Sequence, residues 1–332
     1  MGHDRHHRQT LLPQIGEDGQ HKLRRVHVAI VGLGALGGTI AEQLCRAGVG
    51  TLTLIDRDLV EETNLQRQVL FATADVGSAK AEAAATRLTA IDPDVTLHVR
   101  PNDLHPGNVE RLLKDADVIC DGTDNAATRY LLNDVAVKNG RPMVYGGCVG
   151  TEGRALAMPV GGPCLRCVFP QPPAAGELPT CDTAGVLGPA ATVTAAWQAG
   201  MVLQLLLGQA KPTLFRFDLW QGNTRCSDAS ALKRDGCPCC GARSFEFLDA
   251  HPSDTVSLCG RDTMQVRGNA DLDLDAFIER FAKLGKVKGT PRLLRLEFDG
   301  KQVALFPDGR MLVTPARDES EARSVYARLV GG

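Results

Sequence analysis

The stretch VHVAIVGLGALG, residues 26–37, decides the fold. Its first half, Val26 to Gly32, is an almost unbroken apolar run, the pattern of a strand covered on both faces in a parallel sheet. Its second half, Gly32-Leu33-Gly34-Ala35-Leu36-Gly37, matches G-x-G-x-x-G between that strand and a helical stretch from Ala35 to Ala47. Glycines there let the backbone approach a phosphate, and the helix N-terminus offers free N–H groups and a positive dipole end. Asp56 closes the next strand, TLTLID, about 20 residues on, where a carboxylate accepts ribose hydroxyls. These residues imply an adenine nucleotide and nothing finer; taken alone they favour an NAD-dependent oxidoreductase.

Working outward, helix and strand alternate. Ser78–Ile91 reads as helix, Thr96–Arg100 as strand, Asn108–Lys114 as helix, Asp117–Thr123 as strand, Ala126–Lys138 as helix and Pro142–Gly147 as strand. The alternation predicts an α/β fold with a doubly wound, mostly parallel, Rossmann-like sheet. Residues 1–25 form an N-terminal arm, helical from Arg8 to Arg25. After Gly147 the chain turns rich in proline and glycine, with a loop at about 168–188, an apolar core helix at Pro189–Leu207 and a strand at Leu214–Trp220. The first domain is expected to cover 1–243. A small α+β module, 244–332, follows: a strand or hairpin, a helix at Leu274–Leu284, strands LLRLEF, VALF and MLVT, and a helix at Glu319–Leu329. Asp299-Gly300 and Asp308-Gly309 supply the hairpin turns. The module carries no catalytic motif and no cysteine-centred anion loop, so it is not a rhodanese.

A net charge of −2 over 332 residues gives no reason to expect nucleic acid or an anionic membrane as partner. No apolar run reaches the roughly 20 residues of a membrane span, and MGHDRHHRQT lacks the apolar core of a secretory signal. Eleven cysteines, an odd number, then point to the reducing cytoplasm, where thiols serve as metal ligands, nucleophiles or core groups.

The segment after the second strand separates the readings. Asp58 follows Asp56 closely, Asn64-Leu65-Gln66-Arg67-Gln68 comes next, and Lys80 opens a helix. Hydride transfer has no need of two cations and an amide here. A reaction at a triphosphate does, because charge must be neutralised on the α-phosphate and on departing pyrophosphate. Asp121-Gly122-Thr123-Asp124-Asn125 ends the fourth strand at the carboxyl edge of the sheet, and a carboxylate beside a triphosphate suggests a magnesium ligand. Cys164, Cys167, Cys237 and Cys240 form two C-x-x-C pairs, and four thiolates suit a closed structural zinc site, although the gap exceeds that of a zinc ribbon. Cys239 competes with Cys240, whose two-residue spacing is preferred. Cys45, Cys120 and Cys148 read as core, and Cys259 as structural.

These motifs resemble the ThiF/MoeB/HesA adenylyltransferases, relatives of the ubiquitin-activating enzymes. The resemblance runs from Arg8 to Cys240: RQxxLPxxGxxGQxxL over Arg8–Leu23, then VGLGALG, LID, NLQRQ, VGSAKAEAA, DGTDN and the paired C-x-x-C. It implies ATP, Mg2+ and Zn2+ as cofactors. Gly32, Gly34, Ala35, Gly37, Asp56, Asp58, Asn64, Gln66, Arg67, Lys80, Asp121, Asp124 and Asn125 would line the nucleotide site. Asp56 would hold the ribose, Asn64, Arg67 and Lys80 the phosphates, and Asp124 magnesium. Ala35 stands where many members have glycine. Arg8 would reach into the neighbouring subunit's site, making a homodimer necessary. Cys181 falls where some members carry a cysteine that forms a persulfide-linked or thioester-like adduct on a mobile crossover loop. The implied substrate is a ubiquitin-like sulfur-carrier protein ending in Gly-Gly, with a sulfurtransferase as a further partner. Adenylation of another carboxylate, as in tRNA-modifying or peptide-adenylating relatives, is the rival enzyme reading; a zinc-stabilised scaffold without activity is a third.

Overall fold

The computed structural model describes residues 5–173, 181–250, 255–257, 262–268, 271–281 and 287–331. They divide into two units, Met1–Ala250 and His251–Gly332.

The first unit carries strands β1 (His27–Val31), β2 (Thr51–Ile55), β3 (Thr96–Arg100), β4 (Val118–Asp121), β5 (Met143–Val149), β6 (Glu152–Met158), β7 (Thr213–Asp218) and β8 (Asn223–Asp228). They form one sheet ordered β3-β2-β1-β4-β5-β6-β7-β8. Pairing is parallel from β3 to β5 and antiparallel from β5 to β8. Its helices are α1 (His7–Thr10), α2 (Gly16–Leu23), α3 (Ala35–Arg46), α4 (Lys80–Ile91), α5 (Val109–Leu113), α6 (Ala126–Lys138), α7 (Leu165–Val168), α8 (Cys181–Ala184) and α9 (Gly188–Leu207). The winding direction reverses between β1 and β4, and the crevice outside that point is where such sheets bind ligands.

The unbroken apolar character of β1 follows from its two faces. Val28 and Ile30 enter a core with Ile40 of α3 and Val202 of α9, while Ala29 and Val31 enter another with Leu112 of α5 and Leu132 of α6. Burying both faces leaves no room for alternation.

Four details differ from the sequence reading. The arm is two helices, α1 and α2, with Pro13 between them, because proline supplies no N–H to a continuing helix. Strands β6 and β8 were not expected: β8, NTRCSD, is an exposed edge strand, so burial leaves no mark on its sequence. The unit boundary falls after Ala250 and not after 243, because Phe247 donates its N–H to Asp134 (2.9 Å) and packs its ring on Tyr130, while Arg166 pairs with Glu246. One described helix, α9, is long and apolar enough to cross a membrane, with mean hydropathy 1.4. Here it packs against α3, β5 and β6.

The second unit has strands β9 (Thr255–Ser257), β10 (Met264–Val266), β11 (Val287–Thr290), β12 (Leu293–Phe298), β13 (Lys301–Leu305) and β14 (Met311–Thr314), with helices α10 (Leu274–Phe281) and α11 (Glu319–Leu329). Its sheet order is β11-β12-β13-β14-β10-β9. Asp299 (φ 51°) and Gly300 (φ 72°) make the tight turn between β12 and β13. The unit has its own core, including Phe281, Leu294, Leu305 and Val325.

Candidate active site and metal centre

The three motif glycines do different work. A Cβ on Gly37 would stand 1.7 Å from the Gly32 carbonyl oxygen, and one on Gly32 would meet Gly122 backbone at 2.8 Å. Gly122, after β4, would in turn meet Gly32 oxygen at 2.6 Å. The glycine-rich turn and the β4 loop are therefore packed backbone on backbone at the reversal point. Gly34 is different: its nearest neighbour would be Gln68 Nε2 at 3.5 Å. Packing does not demand glycine there, so its bare backbone is available to a ligand. Ala35 begins α3 immediately after it, and Gly34 as cap offers no side-chain acceptor to the first N–H groups.

Asp56 is tied to both flanks of the site. Its carboxylate accepts the Leu33 N–H (2.6 Å) and the Asp58 N–H (2.7 Å). Burial raises its pKa, against the opposing pull of Lys80. Lys80 is 4% exposed, with Nζ 3.1 Å from Asp58 Oδ2. Asn64 and Gln68 are buried, and neither Asn64 Oδ1 nor Gln68 Oε1 has a hydrogen-bond partner. Orphaned buried oxygens cost free energy unless a ligand or water supplies a donor. Arg67 is half-buried and donates to the Thr63 carbonyl (2.9 Å), and Gln66 is exposed.

Across the reversal point, Asp121 and Asp124 have separate surroundings. Asp121 is fully buried, with Oδ1 accepting the Thr123 N–H (2.9 Å) and hydroxyl (2.7 Å) and Oδ2 lying 3.5 Å from Arg129 Nε. Burial raises its pKa while Arg129 opposes the rise. It shapes the loop from within. Asp124 stands exposed on that loop, and Asn125 caps α6 by accepting the Thr128 N–H (2.8 Å). Two further residues join here that the sequence reading passed over. Arg129 donates to the Thr123 carbonyl (2.6 Å), and Gln198, buried in α9, donates to the Asp121 carbonyl (2.7 Å). An amide inside an otherwise apolar helix was the available signal for Gln198.

Arg8 lies in α1, which is anchored when Gln9 donates to the Ala47 carbonyl (2.8 Å); among the described residues no hydrogen bond joins Arg8 to the nucleotide site. Cys181 is the first residue of α8, and the central part of the expected crossover loop, 174–180, lies outside the described residues, as does Cys259. The loop's return is fixed where Gly150 donates to the Gly185 carbonyl (2.9 Å) and Leu187 donates to the Gly150 carbonyl (2.8 Å).

The sulfur atoms of Cys164, Cys167, Cys237 and Cys240 all lie within 4.8 Å of one another. Zinc–sulfur bonds of about 2.3 Å in a tetrahedron put sulfurs roughly 3.8 Å apart. The 3.6 Å from Cys164 to Cys237 and the 3.4 Å from Cys167 to Cys240 fit that cage. Cys164 is pushed down to about 4, chiefly by a hydrogen bond from Cys239. Cys239 is wholly buried and shifts upward, held by Cys164, burial and Asp134, while Asn133 Nδ2 donates to its sulfur (3.2 Å). It serves as a thiol beside the cage, and Cys240 as its fourth corner. Cys239→Ser is accordingly expected to keep its zinc on dialysis, and Cys240→Ser to lose it, as read by metal analysis. Cys45, Cys120 and Cys148 are buried in the core, as expected.

Residues 6–239 match the ThiF family. The chain belongs to the ThiF family. It is 40% identical over 98% of its length to the sulfur carrier protein ThiS adenylyltransferase of Bacillus subtilis, covering 99% of that protein. It is 39% identical to the sulfur carrier protein adenylyltransferase of Thermus thermophilus, over 72% of this chain and 90% of that one. The crystal structure of E. coli MccB with ATP shares the fold, with a TM-score of 0.61 at 22% identity, over 73% of this chain and 75% of that one. The glycine turn thus meets Gln68 on one side and the DGTDN loop on the other, Lys80 pairs with Asp58, and Asn133 of α6 reaches Cys239 beside the four-cysteine cluster.

Proposed function

We propose that this ThiF-family protein is an ATP-dependent adenylyltransferase acting on the C-terminal glycine carboxylate of a ubiquitin-like sulfur-carrier protein. The observation carrying this reading is the open backbone at Gly34, with Gln68 as its nearest neighbour, and the buried oxygens of Asn64 and Gln68 that have no hydrogen-bond partner. The substrate carboxylate has a pKa near 3.5 in unperturbed form, so it is already an ionised nucleophile and needs no general base. The protein's task is alignment with the α-phosphate and dispersal of charge. Asp56 would hold the ribose; Lys80 and Arg67 would neutralise the phosphates; Asp124 would hold magnesium, which supplies further charge neutralisation. The products are an acyl-adenylate and pyrophosphate.

The alignment with the Bacillus subtilis ThiS adenylyltransferase extends through the second unit, whereas the Thermus thermophilus alignment covers only 72% of the chain. That extent supports a ThiS-like carrier and a thiocarboxylate destined for thiamine. ATP–pyrophosphate exchange with ThiS-like and MoaD-like carriers tests the reading: exchange should depend on one carrier, and its absence with every Gly-Gly carrier would overturn the assignment. A homodimer with Arg8 acting across subunits belongs to the same proposal. Mixing Arg8→Ala with Lys80→Ala subunits should restore up to about a quarter to a half of activity through heterodimers carrying one intact site. No recovery in verified heterodimers would remove Arg8 from the site.

A further inference from the structure

Three arginines stand directly opposite one another on the antiparallel half of the main sheet. Arg154 of β6 pairs with Arg216 of β7, and Arg216 pairs with Arg225 of β8. Cross-strand partners project from the same face of a sheet. All three side chains are exposed, and none forms an ion pair among the described residues; Arg225 Nε donates to Ser227 Oγ (3.3 Å). The nearest acidic row does not neutralise them: Asp218 is occupied by the Thr151 hydroxyl (2.9 Å) and by the Trp220 and Gln221 N–H groups. Like charges directly opposite one another are destabilising, and no ion pair among the described residues offsets that cost here.

The row has a direction. Inward, Arg154 pairs with Gly147 of β5, where a Cβ would lie 2.9 Å from Tyr145 Oη and 3.8 Å from Arg129 Nη1. Arg129, near the start of α6, donates to the Thr123 carbonyl of the DGTDN loop, so the row starts beside that loop and ends at the open edge of the sheet. At about 4.8 Å per strand the three arginines span roughly 10 Å. The opposite face is already covered, with Phe215 stacked on Trp197 of α9 at 4.0 Å. On the arginine side, Val168, Phe169, Leu214 and Leu232 give the groove an apolar floor. Apolar floor and guanidinium rim together suit a folded protein surface bearing carboxylates, which arginine binds in bidentate fashion.

We propose that Arg154, Arg216 and Arg225 dock an acidic face of the carrier protein's folded body, so that its C-terminal tail runs along the sheet toward Arg129 and the nucleotide. The inference rests on the carrier-adenylation reading above. It makes the ladder a determinant of carrier choice, separate from the chemistry.

The test is steady-state ATP–pyrophosphate exchange with the full-length protein and its active carrier, comparing wild type with an Arg154→Gln/Arg216→Gln/Arg225→Gln variant of unchanged melting temperature. The expected result is a carrier KM raised at least tenfold, with kcat at saturating carrier and the KM for ATP within twofold, and with a weaker dependence of carrier KM on salt. Arg216→Glu paired with a carrier in which one surface carboxylate is changed to lysine should recover part of the loss. An unchanged carrier KM in the triple variant would overturn the proposal, as would loss confined to kcat, or a shift to monomer by sedimentation with carrier KM intact. If wild type itself shows no carrier-dependent exchange, the adenylation reading fails and not the ladder alone.

Discussion

Asp124→Ala is expected to lower carrier-dependent ATP–pyrophosphate exchange by about a thousandfold or more, the scale of removing one preorganised electrostatic group at a transition state. The protein should fold as before. Asp124 is exposed at the tip of its loop, and substitutions of that kind stay within about 0.5 kcal/mol. Its neighbour offers the contrast. Asp121 is fully buried with Thr123 and Arg129 on its two oxygens, so Asp121→Ala should lose both stability and exchange. Thermal unfolding beside exchange kinetics separates the two carboxylates. Normal exchange by Asp124→Ala would remove it as the magnesium-holding group.

Cys164→Ser is expected to lower zinc content and melting temperature together. Its sulfur lies 3.6 Å from Cys237 and 4.0 Å from Cys167, at the centre of the cage contacts. Metal-site energy is folding energy, because the preformed site does not exist in the unfolded chain. A loss of about 3 kcal/mol corresponds to roughly 6–12 °C at about 2–4 °C per kcal/mol for a unit of this size. Chelation of wild type should reproduce the shift, and serine substitution should then add little to it. Unchanged metal content in Cys164→Ser would end the zinc assignment.

The nucleotide half of the fold was legible because its signals are local and redundant. An apolar strand, a glycine turn that only glycine can pack, and a carboxylate at the next strand end all sit within residues 26–56, and β1, β2 and α3 follow directly. The Asn64–Gln68 segment stands out by residue types alone, and the structure buries Asn64 and Gln68; no role for Gln68 is legible in the sequence. What was hidden is what depends on pairing. β8 has no burial pattern because it is an edge, and β6 alternates only in part. The proline- and glycine-rich sequence after Gly147 signals loop chemistry, yet α7 within it places Cys164 and Cys167 against a pair from about seventy residues later, and that partnership leaves no periodic trace. Gln198 escaped notice because its partner is a backbone carbonyl, which no sequence displays.

Helix α6 has one consequence beyond its place in the core. Asn125 and Arg129 at its start govern the loop that carries Asp124, while Asn133 and Asp134, a single turn later and about 6 Å along the axis, hold Leu165, Cys239 and Phe247 beside the thiolates. One rigid rod thus spans both centres. Loss of the cysteine cage would therefore remove partners from the same helix whose first turn anchors the Asp124 loop.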